Sequence, residues 1–316
     1  MPHYRPADAS AAPRYAGVRT FARLPHVEPT SAGVDVAVLG APFDTATSFR
    51  PGARFGPEAI RSASTLLRPY HPVLDVDVFE TLSVIDGGDL PVTPGNAPRT
   101  AEQLAASLEP LLRAGVVPLV LGGDHSIVLG ELRAQAAVRG PVAVVLLDAH
   151  ADVWDQYYGE RYFHGTPFRR AVEERVVDPS RSLMAGMRGP LYSRRDLEAP
   201  RELGFEVISG EELLQLSPDE YAARVRARVG DGPAVLSFDV DVLDPAFAPG
   251  TGTPEVAGLL PRDAISFVRA LAGMPFYGFD VVEVSPPYDA PAQVTALHAA
   301  AIAYEMLAVL AVARQR

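Results

Sequence analysis

The sequence predicts an α/β fold, a three-layer α/β/α sandwich in which a mostly parallel sheet of about eight strands lies between two layers of helices. Two observations lead to this prediction. Short β-rich runs alternate with helix-like segments from Val34 onward. Several of the runs are apolar throughout, as strands that are buried on both faces tend to be. This alternation is typical of a parallel sheet that helices cover on both faces.

Eight segments are strand candidates because they are short and rich in residues that favour β-structure. In chain order they are VDVAVLG, LSVIDGG, VPLVLGG, VAVVLLD, SLMAGM, FEVIS, AVLSFDV and GFDVVEV. Helical periodicity is visible in PEAIRSASTLLR, TAEQLAASLEPLLRAG and PRDAISFVRALAG. A further helix is expected after Ser217, because Pro218 and Glu220 supply a first-turn proline and a capping-box glutamate. The apolar stretch AAAIAYEMLAVLAVA carries Glu305 and is expected to be a packed terminal helix.

Composition excludes several classes of protein. The 316 residues are 48% hydrophobic, which argues against disorder, and they show no internal repeat or low-complexity linker. We therefore expect one domain over residues 34–316, preceded by an arm over residues 1–33 that packs on the surface or on a neighbouring subunit. The absence of cysteine excludes disulfides, thiolate metal sites and cysteine nucleophiles. A net charge of −11 disfavours nucleic acid, and the N-terminus lacks the apolar region of a secretory signal, so a soluble cytoplasmic protein is expected.

Three of the predicted strands end in unusual polar groups. The segments VLGGDHS, LLDAHAD and LSFDVDVLDP occupy positions 120–126, 146–152 and 236–245. Ligands bind at the carboxyl ends of the strands in parallel α/β sheets, and residues two apart on an extended chain point to the same side. The side chains expected to converge are His125, Asp148, His150, Asp152, Asp239 and Asp241. Four buried carboxylates need compensation, which two divalent cations would provide. The oxygen-rich, thiolate-free donor set favours Mn²⁺ over Zn²⁺.

Each motif taken alone has a simpler explanation. A single Asp-x-Asp at a strand end is commonly a solvated loop or a helix cap, and Gly-Gly-Asp-His consists largely of ordinary turn residues. Asp124 and Asp244 in particular are candidates for turn, capping or ligand-supporting roles. The coincidence of three clusters, two of which contain a histidine, favours the metal centre.

The segments GGDHS, DAHAD and SFDVDVLDPAFAPGTGTPE resemble the three signature segments of the ureohydrolases, the family of arginase, agmatinase, guanidinobutyrase and proclavaminate amidinohydrolase. The resemblance extends from GAPFDTATSFRPGARFGPEAIR at residues 40–61 to the last helix. It implies a three-layer α/β/α fold and a binuclear manganese centre. By motif, one Mn²⁺ would be held by His125, Asp148, Asp152 and Asp239. The other would be held by Asp148, His150, Asp239 and Asp241, so that Asp148 and Asp239 bridge the two ions.

The resemblance also implies the catalytic residues, which are His164, Glu283 and Asp241. Glu283 in GFDVVEVSP matches the glutamate that binds the substrate guanidinium, a planar cation that stays protonated in water. His164 in RYFHGTPFRR matches the histidine that passes a proton to the departing amine. Both residues are therefore expected to bind the substrate. The alternative for His164 is a histidine at a helix start, beside Gly165 and Pro167.

The resemblance favours agmatine, cleaved to putrescine and urea, because DTATSFRPGARFGP and FAPGTGTPE look most like segments of agmatinases. Arginine is disfavoured, since arginases bind the amino-acid end partly through an asparagine before the shuttle histidine, and this loop reads WDQYYGERYFHG. Asp44, Asp155 and Glu160 are expected near the pocket mouth, where they would suit an ammonium. Arg50 supports the alternative, a guanidino acid such as 4-guanidinobutyrate or a clavam precursor, unless it pairs with a neighbouring acid.

Two interpretations from other classes stay open. A dinuclear metallophosphoesterase would also place Asp and His at strand ends, but it normally has a Gly-Asn-His/Asp segment, whereas Asn96 lies in TPGNAPRT. A non-catalytic, metal-stabilised assembly protein is disfavoured by the presence of all six ligands together with His164 and Glu283. The expected partners are a small guanidino substrate and further copies of the chain, as a trimer or hexamer by resemblance, with neither nucleic acid nor a membrane.

Overall fold

The fold is built on one eight-stranded sheet in which every pair of neighbouring strands is parallel. The computed structural model describes residues 2–289 and 291–315. Its strands are β1 Val36–Ala41, β2 Tyr70–His71, β3 Val76–Asp77, β4 Val84–Asp89, β5 Val117–Gly122, β6 Ala143–Leu147, β7 Leu183–Met187, β8 Glu206–Ser209, β9 Ala234–Asp239 and β10 Phe279–Val282. The large sheet has the order β4-β1-β5-β10-β9-β6-β7-β8, and β2 pairs with β3 in a small hairpin. All eight predicted strands lie in the large sheet, so the predicted α/β fold is confirmed.

Helices connect the strands. They are α1 Gly56–Ser64, α2 Val78–Thr81, α3 Ala97–Arg113, α4 Val128–Arg139, α5 Pro167–Glu173, α6 Arg194–Glu202, α7 Gly210–Leu213, α8 Pro218–Val229, α9 Pro261–Ala270 and α10 Val294–Arg314. Helix α3 begins earlier than the periodicity predicted, because the side chain of Asn96 caps it by accepting a hydrogen bond from the Arg99 N–H. Helix α1 ends earlier than predicted, because the chain tightens into a turn in which the Leu67 N–H donates to Ser64 O at 3.0 Å.

Two predicted helices appear as expected. Helix α8 begins with a complete capping box, in which the Ser217 and Glu220 side chains each accept a hydrogen bond from the other residue's backbone N–H. Helix α10 is long and apolar enough to cross a membrane by length and composition, yet 67% of its most apolar window is buried in the fold. Its Glu305 carboxylate lies 2.6 Å from the Arg269 guanidinium and 3.0 Å from Nε2 of His71. The predicted packed terminal helix is therefore present.

The sheet separates two hydrophobic layers. Side chains of β1 alternate between them, since Val36 and Val38 belong to the core shared with α10, whereas Ala37 and Leu39 belong to the core shared with α3. Helices α1, α10, α9 and α8 pack side by side in the first layer, and α3 packs on α4 in the second. Every residue of β1, β5 and β9 is buried. The apolar runs in the sequence thus correspond to strands covered on both faces.

The segment before Val34 packs along the edge strand β4. The Val84 N–H donates to Tyr4 O at 3.2 Å, and the Asp86 N–H donates to Pro25 O at 3.0 Å. Phe21 is completely buried and joins the core around α10. These contacts cover the edge of the sheet, which would otherwise present unpaired backbone groups. The division of the chain into an arm and one domain at residue 34 stays a prediction.

Candidate metal centre and active site

Four strands that lie side by side deliver the candidate site. In the order β5, β10, β9 and β6, they end at or just before His125, Glu283, Asp239 and Asp148 respectively. All four strands are parallel, so their carboxyl ends meet at one edge of the sheet, where α/β proteins bind ligands. The chain order of these residues therefore differs from their spatial order, because the last strand of the sheet is inserted between β5 and β9.

The first group of candidate ligands surrounds the imidazole of His125. Its Nδ1 atom lies 3.0 Å from a carboxylate oxygen of Asp148, 3.0 Å from one of Asp152 and 3.3 Å from one of Asp239. His125 and Asp148 are completely buried, and Asp239 is almost so. Asp152 adopts a left-handed backbone conformation (φ 51°) that turns its side chain into this group. The sequence prediction that these four side chains converge is thus matched by their positions.

The second group lies beside the first. Nδ1 of His150 is 2.9 Å from Oδ2 of Asp241 and 3.6 Å from Oδ1 of Asp148. Asp148 therefore contributes one oxygen to each group, as a bridging ligand would. A metal-compatible arrangement of donor atoms is found for His125, Asp148 and Asp239 and again for Asp148, His150 and Asp241. The bridging role of Asp239 stays a prediction, since its oxygens take part in the first arrangement.

The unpartnered atoms of the two groups fit divalent cations. Nδ1 of His125, Oδ2 of Asp148 and Oδ2 of Asp241 are buried, and their near neighbours are other candidate ligands. Among residues 2–289 and 291–315, no hydrogen bond of good geometry satisfies these three atoms, although buried polar atoms are normally satisfied. Burial, together with the charge of neighbouring carboxylates, raises the pKa of Asp239 well above its ordinary value and that of Asp241 to about 6. Carboxylate oxygens and imidazole nitrogens are donors for borderline and hard cations. The residues present therefore suit a pair of divalent ions.

Hydrogen bonds behind the two groups fix the ligand orientations. Nε2 of His125 lies 3.0 Å from the Ser237 hydroxyl, which in turn donates to Oδ1 of Asp280 at 2.6 Å. Nε2 therefore carries a proton, which leaves Nδ1 as the atom that faces the carboxylates and would bind a cation. The sequence pattern did not single out Ser237. Its position two residues before Asp239 on an extended strand, which places both side chains on one face, was the available signal.

Glu283 connects the candidate metal centre to His164. One oxygen, Oε1, accepts hydrogen bonds from the His125 backbone N–H and from Nδ1 of His164, each at 2.9 Å. The other, Oε2, is buried and has no hydrogen-bond partner among residues 2–289 and 291–315. Glu283 is 1% exposed, and a buried carboxylate oxygen without a donor is costly unless a ligand supplies one. A planar cation would supply that donor, although Glu283 itself is not among the residues that line the adjoining cavity.

Nε2 of His164 accepts a hydrogen bond from the Ser48 backbone N–H at 3.0 Å and lies 2.7 Å from the Ser48 hydroxyl. A backbone N–H can only donate, so in this arrangement the imidazole is neutral and its proton is on Nδ1, facing Glu283. Burial lowers the pKa of His164, but the charge of Glu283 outweighs it and raises the pKa to about 9. Two cations nearby would lower that pKa again, in keeping with the neutral imidazole that the Ser48 hydrogen bond indicates.

His164 does stand shortly before a helix, since α5 begins at Pro167. Its side chain nevertheless points into the site and is 8% exposed. Ser48, its hydrogen-bond partner, was not found by sequence reasoning, because a serine 116 positions away in a loop carries no pattern that pairs it with this histidine. The remaining predicted supports act as turn residues: Asp124 caps the turn at Ser126, and Asp244 accepts from the Ala246 N–H at 2.9 Å.

A cavity of about 870 Å³ opens onto the candidate metal centre. The predicted site residues that line it are His150, Asp152, His164, Asp239 and Asp241. Arg50 also lines it, with its guanidinium over the rings of Phe49 and Tyr288 at 5.3 and 5.2 Å. Within residues 2–289 and 291–315, no carboxylate forms an ion pair with Arg50.

The three acids expected at the pocket mouth lie elsewhere. Asp44 is buried and bonded to the Gly52 N–H and to the guanidinium of Arg54. Asp155 is 2.7 Å from the guanidinium of Arg170. Neither these two nor Glu160 is among the residues that line the cavity. That expectation was wrong, because ion pairs with arginines of other segments hold two of the acids in place.

Comparison with known proteins identifies the family and supports the fold. The sequence model of the arginase family matches residues 34–308. The chain belongs to the arginase family. It is 43% identical to guanidinobutyrase of Pseudomonas aeruginosa over 97% of both chains, and 44% identical to mitochondrial agmatinase of Gallus gallus over 96% of this chain and 89% of that one. The structure of proclavaminate amidinohydrolase of Streptomyces clavuligerus matches with a TM-score of 0.89 at 43% identity, covering 96% of this chain and 100% of that chain.

As a member of the arginase family, the chain is a hydrolase that acts on linear guanidino compounds. Membership favours the enzyme over the two other classes considered from the sequence, the metallophosphoesterase and the non-catalytic assembly protein. The relatives differ in the compound that their names give, so family membership leaves the substrate to be inferred from the cavity.

Proposed function

We propose that this enzyme of the arginase family hydrolyses a guanidino acid with a short alkyl tail, such as 4-guanidinobutyrate, to urea and an amino acid at a centre of two Mn²⁺. The observation that carries the choice of substrate is Arg50, a cation that lines the cavity without an acidic partner among the described residues. One ion would be held by His125, Asp148, Asp152 and Asp239. The other would be held by Asp148, His150, Asp239 and Asp241.

When bound, such a pair of cations lowers the pKa of a water molecule and orients it for attack on the guanidinium carbon. The chain itself positions the substrate. Oε2 of Glu283 accepts N–H bonds from the guanidinium, whose charge matches the carboxylate. The shared hydrogen bonds at Oε1 hold that carboxylate still. Asp241, buried beside His150, would help to hold the second ion.

In this proposal His164 transfers the proton to the departing nitrogen. Attack of water on the guanidinium carbon gives a tetrahedral species, and cleavage of its bond to the substituted nitrogen releases urea once that nitrogen is protonated. His164 is within hydrogen-bond reach of Glu283, which binds the guanidinium, and an imidazole can carry the proton that the leaving nitrogen needs. Ser48 holds the other side of the imidazole, so that the ring keeps a fixed direction.

The tail of the substrate distinguishes the candidates. A carboxylate is matched by Arg50, since a guanidinium binds carboxylates with two donors. Agmatine, the first expectation from the sequence, ends in an ammonium, and the three acids on which that expectation depended do not line the cavity. It stays the second candidate because Glu255 does line the cavity. A pocket that lacks the partner for a charged tail discriminates strongly against that substrate.

The test is the urea released from 4-guanidinobutyrate, agmatine and arginine after loading with Mn²⁺. We expect the highest kcat/KM for 4-guanidinobutyrate. In Arg50→Gln that value should fall by about 10²-fold, the size of a lost charge-assisted pair, while kcat/KM for agmatine does not fall. Glu255→Gln is the matched variant and should lower the agmatine value selectively. If the parent enzyme clearly preferred agmatine and Glu255→Gln did not change that preference, neither Arg50 nor Glu255 would be the residue that binds the substrate tail.

The remaining expectations from the resemblance stay predictions. They are a homo-oligomer, trimer or hexamer, a cytoplasmic location, and a part in polyamine formation if agmatine proves to be the substrate. The oligomeric state is the simplest of these to measure, by light scattering of the Mn²⁺-loaded enzyme.

A further inference from the structure

One wall of the cavity is made of four aromatic side chains, Trp154, Tyr157, Tyr158 and Tyr192, which we call the aromatic wall. The rings of Trp154 and Tyr157 are stacked, with centroids 5.0 Å apart and an angle of 6° between the planes. Tyr192 lies 5.7 Å from Trp154 at 55°, and Tyr158 meets Tyr157 edge-on at 4.4 Å. The four rings thus form one continuous surface rather than separate contacts.

The aromatic wall is fixed to the loop that carries His164. The Trp154 N–H donates to Gly165 O at 3.0 Å. A Cβ atom on Gly165 would come within 3.1 Å of the indole, so the ring lies directly on the glycine backbone. The wall therefore contacts the residue that directly follows His164, whose imidazole is proposed to carry the proton. A ligand that contacts the wall and the metal centre at once would occupy a single continuous cavity.

The wall is far larger than the tail of 4-guanidinobutyrate requires. Cavities of about 300–1,000 Å³ hold drug-sized ligands, and this one has a volume of about 870 Å³. Tyr158 and Tyr192 are 76% and 78% exposed, and Leu191 beside them is 51% exposed. Apolar surface of this size that continues from a site of chemistry marks a ligand-binding region. The exposed rings of Tyr158 and Tyr192 offer flat faces, which suit another aromatic ring.

The hydroxyls of Tyr157 and Tyr192 add a polar feature to this surface. They lie 3.2 Å apart, and either can donate to the other. Whichever donates, the second hydroxyl keeps its own proton, and both oxygens keep lone pairs. The pair can therefore donate to a carbonyl oxygen or accept from an N–H. An amide group that links a substrate to a flat ring would meet both parts of the wall.

From this arrangement we infer that the enzyme accepts N-aroylated guanidino amino acids, in which an amide joins an aromatic acyl group to the tail. The inference depends on the proposed function and extends it: the guanidinium binds at Glu283, the carboxylate at Arg50, the amide at the Tyr157 and Tyr192 hydroxyls, and the ring on the aromatic wall. For Nα-benzoyl-arginine, one water is consumed and the bond between the guanidinium carbon and the side-chain nitrogen breaks. The products are urea and Nα-benzoyl-ornithine.

The experiment compares Nα-benzoyl-arginine with Nα-acetyl-arginine in the Mn²⁺-loaded enzyme, since these two compounds differ only in the acyl group. We expect kcat/KM for urea release to be at least about tenfold higher for the benzoyl compound. In Tyr192→Ala this ratio should fall towards one. Tyr15→Ala removes an equally exposed tyrosine of the N-terminal segment and should leave the ratio as it is. A ratio near one in the parent enzyme, or one that survives in Tyr192→Ala, would overturn the inference.

Binding is measured separately through Trp154, the one tryptophan of the chain. Nα-benzoyl-ornithine lacks the guanidinium, so it reports on the aromatic wall without turnover. We expect it to change the Trp154 fluorescence saturably in the parent and at least about fivefold more weakly in Tyr192→Ala, with no response to Nα-acetyl-ornithine. If this response is seen while no guanidino compound releases urea, the proposed function is wrong, but the aromatic wall does bind the aromatic acyl group. If the two ornithine derivatives act alike, the wall does not recognise the ring.

Discussion

Glu283 adopts a left-handed backbone conformation, with φ 64°, at the residue after β10. Such a conformation costs a glutamate roughly 1–3 kcal/mol and persists only where the surroundings impose it. The Glu283 N–H donates to Gly123 O at 2.9 Å, and its side chain accepts from both His125 and His164. The strain thus keeps one carboxylate oxygen occupied by the protein and the other free for a substrate.

His164→Ala tests the assignment of the proton carrier. We expect the variant to keep its metal content and its binding of the guanidinium, because the candidate ligands are unchanged and the His125 N–H still donates to Glu283. Turnover should fall by about 10²–10⁴-fold, the usual contribution of a general acid or base. The measurement is kcat for the preferred guanidino substrate, with metal content determined on the same sample.

His298→Ala is the matched control for this variant. The imidazole of His298 contacts the backbone oxygen of Phe247 and is not among the cavity-lining residues, so kcat should stay at the parent value. If His164→Ala also turned over like the parent, another group or solvent would have to protonate the leaving amine.

At the level of single residues, the sequence predicted the positions at strand ends better than those in loops. Asp148 and Asp239 stand where β6 and β9 end, as the strand pattern predicted. Asp152 joins them through its left-handed backbone and Asp241 from a 3₁₀ turn over Val240–Val242, so the alternation of an extended strand does not explain these two positions. Asp44 and Asp155 were placed wrongly, because their arginine partners could not be foreseen from spacing. The aromatic wall was missed for a related reason: Tyr192 joins Trp154 from a different loop.

Helix α10 is held against the rest of the fold by a buried charged group. The Glu305 side chain is 7% exposed and lies between Arg269 of α9 and His71 of the small hairpin. We expect Glu305→Ala to lower the free energy of unfolding by about 3 kcal/mol, because removal of one partner leaves the others uncompensated. Urea unfolding of the Mn²⁺-loaded enzyme measures this difference.

Glu198→Ala is the comparison on the surface. Glu198 pairs with Arg194 at 2.7 Å within α6, but the two side chains are 44% and 86% exposed. Loss of such a pair should change the free energy of unfolding by less than about 1 kcal/mol. Equal effects of the two substitutions would show that the buried group does not attach α10 to the hairpin.

The sequence predicted every strand of the large sheet because each of the eight is a short apolar run, which packing inside the fold reinforces. Helix ends were less accurate, since caps such as Asn96 depend on one side-chain hydrogen bond that periodicity does not register. The order of the strands in the sheet could not be predicted from the sequence. It results from long-range pairing, here of β10 with both β5 and β9, and no local pattern encodes it.

Across the molecule, the concentration of carboxylates at one sheet edge couples stability to pH and metal. In the metal-free protein, burial raises the pKa of Asp241 from 3.8 to about 6, so the folded state binds more protons than the unfolded chain in that range. Stability therefore falls as pH rises through it. His125 and His150 act in the same direction at higher pH. Burial lowers their pKa values, but the surrounding carboxylates outweigh burial and raise these pKa values well above 6.5. The stabilisation that the protonated imidazoles contribute is therefore lost as they deprotonate.

Cations replace these protons, so the stabilisation by Mn²⁺ should grow with pH. We expect the loaded protein to hold two Mn²⁺ per chain. The difference in Tm between loaded and metal-free protein should be larger at pH 8 than at pH 5.5 by about 3 °C or more. Differential scanning fluorimetry at both pH values measures it, with metal analysis of dialysed protein alongside. A difference in Tm that does not change with pH, or fewer than two ions per chain, would argue against a centre built from these six residues.

The central position of β10 has a consequence for how the enzyme is made. A ribosome releases the chain from its N-terminus, so β5 and β9 emerge long before Phe279–Val282, the strand that pairs with both. Until that strand arrives, no strand pairing within the described part of the chain joins the half-sheets that carry His125 and Asp239, and helix packing such as that of α4 on α5 connects them instead. We therefore expect a nascent chain stalled before residue 279 to bind metal more weakly than the finished hydrolase.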